Sequence, residues 1–173
     1  MGKVFYVTGG ARSGKSAFAL RLAASYAQRV FLATAEPFDE EMLFRVSRHR
    51  EERGSQFTTV EEPLYLARAL SQIPLDTGVV LLDCLTVWTG NLMYYAVSRG
   101  EEQMAQQIEL FFEALRHLPC DIILVSNEVG MGIVPENAMA RTFRDRAGLI
   151  NQQAALIAAE AYLLCSGLPL RLK

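Results

Sequence analysis

Short, continuous apolar runs alternate along this chain with longer stretches in which apolar residues recur every three or four positions. The first run covers residues 4–8 and ends at a pair of glycines, and residues 16–28 then carry Phe18, Leu22 and Tyr26 at helical spacing. The opening therefore predicts strand, loop, helix. Residues 29–34 form a second strand-like run. Over 39–53 the capping candidate Asp39 precedes Met42, Leu43 and Val46 among many charges, which predicts a surface helix stopped at Gly54. Residues 57–60 read as a short strand, and Pro63 opens a helix to about Gln72. Residues 79–82 read as a buried strand that ends at Asp83.

Residues 85–98 and 101–117 read as two helices separated at Gly100, and 121–126 as another strand of the buried type. Residues 130–137 contain glycine and proline and are expected to be a loop. A helix is expected over 138–161, and residues 162–165 with 168–172 are expected to form a small C-terminal hairpin. Strands alternating with helices predict an α/β fold: a mostly parallel sheet with helices on both faces. Ligands in such a fold sit beyond the carboxyl ends of the strands. No repeat or flexible linker divides the chain, so residues 1–173 are read as a single domain.

Composition narrows the function. A net charge of -2 over 173 residues gives no basic field for nucleic acid or an acidic membrane surface, and a small ligand is the default. Cys84, Cys120 and Cys165 lie far apart with no C-x-x-C spacing, which argues against a disulfide framework and a zinc site. No apolar run reaches the length of a membrane span, and the first one meets glycine before signal-peptide length. A soluble cytoplasmic protein is expected.

The strongest chemical signal is Gly9, Gly10, Ala11, Arg12, Ser13, Gly14, Lys15 and Ser16, which fit G-x-x-x-x-G-K-[ST] between a predicted strand and a predicted helix. Glycines let backbone N–H groups turn inward around phosphate oxygens, and the following helix directs the positive end of its dipole at the same anion. Lys15 supplies charge for the β and γ phosphates, and Ser16 a hydroxyl for Mg²⁺. Arg12 reads equally as a phosphate contact or as a solvated side chain. A carboxylate for the metal is expected at the end of a neighbouring strand, and Asp83 follows four apolar residues. The chain is thus of the P-loop NTPase type, with Ser16 and Asp83 as its metal residues.

Other features remove some P-loop classes. After the strand ending near Ser126 there is no N-K-x-D segment, and Asp83 starts no D-x-x-G switch, which disfavours a signalling GTPase. Motor ATPases and recombinases need a basic track that is absent here. A small-molecule kinase remains, with nucleotidyl transfer as a further activity. A kinase without that transfer, and a nucleotide-dependent regulatory module that binds a partner through residues 128–137, both stay open on the residues alone.

Several segments resemble the bifunctional adenosylcobinamide kinase/adenosylcobinamide-phosphate guanylyltransferases of cobalamin biosynthesis. These are the phosphate loop from Thr8, Ala33 to Glu36 with Asp39 to Met42, Arg45 to Arg50, Leu82 to Trp88 with Asn91, and the loop from Ser126 to Asn137. Phe143, Arg144 and Asp145 and the stretch 148–152 continue the likeness, so it spans nearly the whole chain in order. The resemblance implies phosphorylation of adenosylcobinamide with ATP or GTP, then transfer of GMP from GTP onto that phosphate through a histidine-GMP intermediate. Only His49 lies in the matching motif; the adjacent position that holds a second histidine in some members is Arg48.

The same resemblance implies nucleotide contacts at Thr34, Ala35, Glu36, Arg50, Glu51, Glu52, Arg53, Glu61 and Asp83. It also implies a homo-oligomer, a small ring such as a trimer. Read without it, Met42, Val46 and His49 share helical spacing and suit a packed stripe. Arg45, Arg48, Arg50 and Arg53 suit either triphosphate neutralisation or pairing with Glu40, Glu41, Glu51 and Glu52. Glu61, Glu62 and Pro63 equally suit an acidic helix start.

Overall fold

The computed structural model describes residues 2–36 and 56–173. The helix expected over 39–53, and with it His49, lies outside the described residues. Seven strands form one sheet: β1 (Val4–Gly9), β2 (Arg29–Ala33), β3 (Thr58–Glu61), β4 (Val79–Asp83), β5 (Asp121–Val125), β6 (Glu160–Cys165) and β7 (Leu168–Arg171). Their order is β3-β2-β4-β5-β1-β6-β7. Every neighbouring pair is parallel except β6 and β7, which form the terminal antiparallel hairpin.

The helices are α1 (Lys15–Ala23), α2 (Leu66–Ser71), α3 (Leu85–Arg99), α4 (Glu101–His117) and α5 (Ala138–Ile157). Alternation along the strands divides the core in two, as a sheet covered on both faces requires. Val80, Leu82, Ile122 and Leu124 pack with Trp88, Phe111 and Leu115 from α3 and α4. Val79, Leu81, Ile123 and Val125 pack with Ala19 and Ala23 of α1 on the opposite face. α3 and α5 meet where Phe143 lies over Gly90, its Cε2 at ordinary contact distance, 3.8 Å, from where a Cβ on Gly90 would sit.

Three helix boundaries differ from expectation. α1 ends at Ala23 rather than near Gln28, because the chain turns at once into β2; the Arg29 Nε donates to the Tyr26 carbonyl at 2.6 Å across that turn. α2 begins at Leu66 rather than at Pro63. Glu62 instead caps the approach, accepting from the amides of Leu64 at 3.0 Å and Tyr65 at 2.9 Å. α5 ends at Ile157 rather than near Ala161, and β6 starts at Glu160 as a parallel partner of β1. Its alanines favour helix locally, but Ala159 donates to the Val4 carbonyl at 2.8 Å, and the sheet's hydrogen bonds override that preference.

Candidate functional site

β1 lies between β5 and β6, and its end delivers the phosphate loop to the carboxyl edge of the sheet. Gly14 adopts φ 94, and a Cβ there would lie 3.0 Å from the Cα of Gly167. A Cβ on Gly9 would lie 2.5 Å from the Leu164 carbonyl oxygen. Both glycines are therefore fixed by backbone that presses on the loop from β6 and the hairpin turn. Arg12 adopts φ 56 and is exposed, as are Gly10 and Ala11.

Lys15 is folded back into the loop, where its Nζ donates to the Gly10 carbonyl at 2.9 Å. Burial lowers the Lys15 pKa, while Cys84 and Asp83 act in the opposite sense. The Ser13 Oγ is buried without a hydrogen-bond partner. A phosphate oxygen in the loop would give Lys15 and Ser13 the acceptor each is placed to use, so the residues present fit a nucleotide phosphate.

The Ser16 hydroxyl donates to an Asp83 carboxylate oxygen at 3.1 Å. Contrary to expectation, β4 is not the immediate neighbour of β1, because β5 runs between them. Asp83 reaches the loop all the same, since β4 carries it to the strand end and Ser16 opens α1 on the same edge. Two hard oxygens this close fit Mg²⁺, which takes few protein ligands and keeps water and phosphate oxygens for the rest. Among the described residues no group of three or more His, Cys, Asp or Glu side chains forms a separate metal cluster.

On the other side of Asp83, the end of β2 is fastened through Thr34. Its amide donates to the Asp83 carbonyl at 3.2 Å, and its hydroxyl accepts from the Cys84 amide and donates to the Cys84 carbonyl, both at 2.9 Å. Asn91 completes the fastening, its Nδ2 donating to the carbonyls of Thr34 at 2.8 Å and Pro63 at 3.1 Å. Sequence reading did not single out Asn91 as a site residue. The signal was an amide on the helical stripe of Leu85, Trp88 and Leu92, where only a fully paired polar group is tolerated.

Glu36 accepts from the Tyr95 hydroxyl at 3.1 Å, and Glu61 ends β3 opposite Ala33. Ala35 lies between Thr34 and Glu36 at the same edge, half-buried. The neighbouring Glu62 takes the helix-start role: burial raises its pKa, but hydrogen bonds from Tyr65, Leu64 and Arg68 outweigh that and hold it below the usual range. Burial pushes the Cys84 thiol up to about 12, so it stays neutral beside Asp83.

A second buried network closes the far side of the loop. The Ser126 hydroxyl donates to Asn151 Oδ1 at 2.6 Å and lies 3.0 Å from that of Thr86. Asn151 Nδ2 donates to the Asn127 carbonyl at 3.0 Å, and the Glu128 amide donates to the Gly9 carbonyl at 3.0 Å. Loop, β4 end, β5 end and α5 are thereby one connected assembly. The expected residues His49, Arg50, Glu51, Glu52 and Arg53 lie outside the described residues.

Comparisons with known proteins bear on the fold and on the family. An ATPase from the type III secretion system of pathogenic bacteria superposes with a TM-score of 0.54 over 94% of this chain and 51% of its own, at 12% identity. That likeness concerns the fold, a P-loop NTPase-like one. The bifunctional adenosylcobalamin biosynthesis protein CobU of Escherichia coli strain K12 is 38% identical over 96% of this chain and 98% of its own. The bifunctional adenosylcobalamin biosynthesis protein CobP of Pseudomonas aeruginosa strain PAO1 is 40% identical over 96% of this chain and 95% of its own. The family described as cobinamide kinase / cobinamide phosphate guanyltransferase matches residues 5–172, and the chain belongs to that family.

Proposed function

We propose that the phosphate loop, Ser16 and Asp83 serve two successive reactions on one corrinoid: phosphorylation of adenosylcobinamide by ATP or GTP, and transfer of GMP from GTP onto the new phosphate. The observation that supports this most directly is the Ser16–Asp83 contact at 3.1 Å beside the buried Lys15, in a chain of this family. Gly9, Gly10, Ala11, Arg12, Ser13 and Gly14 wrap the phosphates, and Lys15 exchanges the Gly10 carbonyl for a phosphate oxygen. Ser16 and Asp83 would hold Mg²⁺, which supplies charge neutralisation at the phosphates.

The main chain at Thr34 and Ala35, with Glu36 and Glu61, lines the edge beyond β2 and β3 where the nucleoside lies. His49 takes the guanylyl group: a neutral imidazole attacks the α phosphorus, pyrophosphate leaves, and the phosphate of the corrinoid then displaces the histidine. Arg50, Glu51, Glu52 and Arg53 accompany His49 at the nucleotide. The protein acts as one cytoplasmic domain and assembles as a homo-oligomer. Exposed Met131, Ile133 and Val134 offer an apolar edge for a second copy.

The test is to incubate the protein with Mg²⁺ and GTP labelled at either the α or the γ position, denature it, and measure retained acid-labile label in wild type and His49→Asn. Retention from the α position alone, lost in the variant, is the expected result. No α label on the wild type, with γ-phosphate still transferred to cobinamide, would reduce the function to a kinase.

A further inference from the structure

α5 carries three arginines, Arg141, Arg144 and Arg146. Arg141 donates to the carbonyls of Pro135 at 2.9 Å and Glu136 at 2.6 Å. Arg146 donates to Glu101 at 2.6 Å and to the Met104 sulfur at 2.8 Å. Arg144 differs: its Nη1 is shut off from solvent and has no acceptor. A guanidinium stays charged at any accessible pH, and burying its donors without an acceptor disfavours the folded state. Stability therefore does not account for an arginine here, whereas an arriving anion does.

The placement of Arg144 says where that anion lies. Ala147 and Asn151 are buried on α5, and Arg144 precedes them on the same stripe, about two turns or roughly 10 Å before Asn151. Asn151 is bonded to Ser126 and Asn127 just past the end of β5. α5 returns from the carboxyl edge of β5 to the start of β6, so its N-terminal turns rise beyond the strand ends. Helical side chains lean towards the helix N-terminus, which carries the Arg144 guanidinium further the same way. Phe143 packs at Gly90 and holds these turns against α3, whose first turn follows Asp83 and Cys84. Beyond Asn127, the Glu128 amide donates to the Gly9 carbonyl, so the segment that leads into α5 is tied to the phosphate loop.

We infer that Arg144 is a phosphate-binding residue at the carboxyl edge of the sheet, receiving a phosphoryl group that lies outside the loop's own wrap. The planar guanidinium fork matches phosphate oxygens, and it is carried by α5, whereas Lys15 is carried by α1. Two phosphates suit it: the γ phosphate of the nucleotide, and the phosphate carried by the corrinoid acceptor. The second rests on the two-step reading above.

Equilibrium binding decides, with wild type, Arg144→Lys and Arg144→Ala and two pairs of probes: a non-hydrolysable GTP analogue against GDP, and cobinamide phosphate against cobinamide. Loss of about tenfold or more in the triphosphate-over-diphosphate ratio in Arg144→Ala assigns the γ phosphate. The same loss confined to the cobinamide pair assigns the acceptor. Partial retention by Arg144→Lys, with a melting temperature in Arg144→Ala no lower than in wild type, is expected in either case. Both ratios within about twofold of wild type, or a folding defect common to both variants, would overturn the assignment. A wild type that binds neither cobinamide probe would defeat the two-step reading, and the nucleotide pair alone would then settle Arg144: an unchanged ratio overturns it.

Discussion

The Gly167 amide donates to the Ser13 carbonyl at 2.9 Å, so the turn of the C-terminal hairpin grips the phosphate loop from outside. The turn passes through Ser166 at φ 50 and Gly167 at φ 83, and the Gly167 Cα is the atom that a side chain on Gly14 would strike. β6 extends the parallel sheet, β7 closes it, and the link between them sets the shape of the nucleotide site. The C-terminal hairpin, expected from sequence only as a small terminal element, therefore packs directly on the phosphate loop.

Two glycines of the loop are expected to behave differently. Gly14→Ala places a Cβ 3.0 Å from backbone at a φ of 94, and so should displace the hairpin and weaken GTP binding about tenfold or more. Gly10→Ala meets nothing within 4 Å, and its φ is not in the left-handed region. It should bind GTP within about threefold of wild type. Nucleotide titration of both variants checks the contrast.

Lys15 predicts a pH-dependent conflict between stability and function. Its pKa in the folded protein is lowered by burial from the ordinary 10.5, so below the folded value its charge opposes folding. As pH rises through the folded pKa towards 10.5 the unfolded chain holds more protons than the folded one, and the opposition fades. Lys15→Met should therefore melt higher than wild type at pH 7, with the difference closing as the pH passes 10.5, while nucleotide turnover is lost at every pH. Calorimetry across this range tests the sign.

Asn91 should matter to nucleotide affinity without touching the nucleotide. Asn91→Ala leaves the buried carbonyl of Thr34 and the part-buried carbonyl of Pro63 without their shared donor, at a cost of about 1–3 kcal/mol for the buried one. It also loosens the chain that carries Glu36 and Glu61. Denaturant unfolding should show the loss of stability, and the KM for GTP should rise more than kcat falls. Equal loss in an Ala variant of a buried residue remote from the site would mark the effect as global.

Much of this site is legible in the sequence because its chemistry is local. A strand, a glycine turn and a helix within thirteen residues carry the phosphate loop from Val4 to Ser16, and four apolar residues before a carboxylate mark Asp83. Both signals rest on steric and hydration rules that act over a few residues. Thr34 and Asn91 were less legible, because their roles are hydrogen bonds to residues fifty or more positions away for Thr34 and Cys84, and 57 for Asn91 and Thr34.

The sequence by itself determined the alternation of strands and helices, the phosphate loop, the acidic strand end and the family. Only the tertiary structure decided the strand order that puts β5 between β1 and β4, the early end of α5, and the grip of Gly167 on Ser13. It also decided that Arg144, one charge among several in a polar helix, is the arginine of α5 with a buried, unanswered donor. The physical reason is range: backbone preference and amphipathic period act between near neighbours, whereas sheet pairing and desolvation depend on what the fold brings from far along the chain.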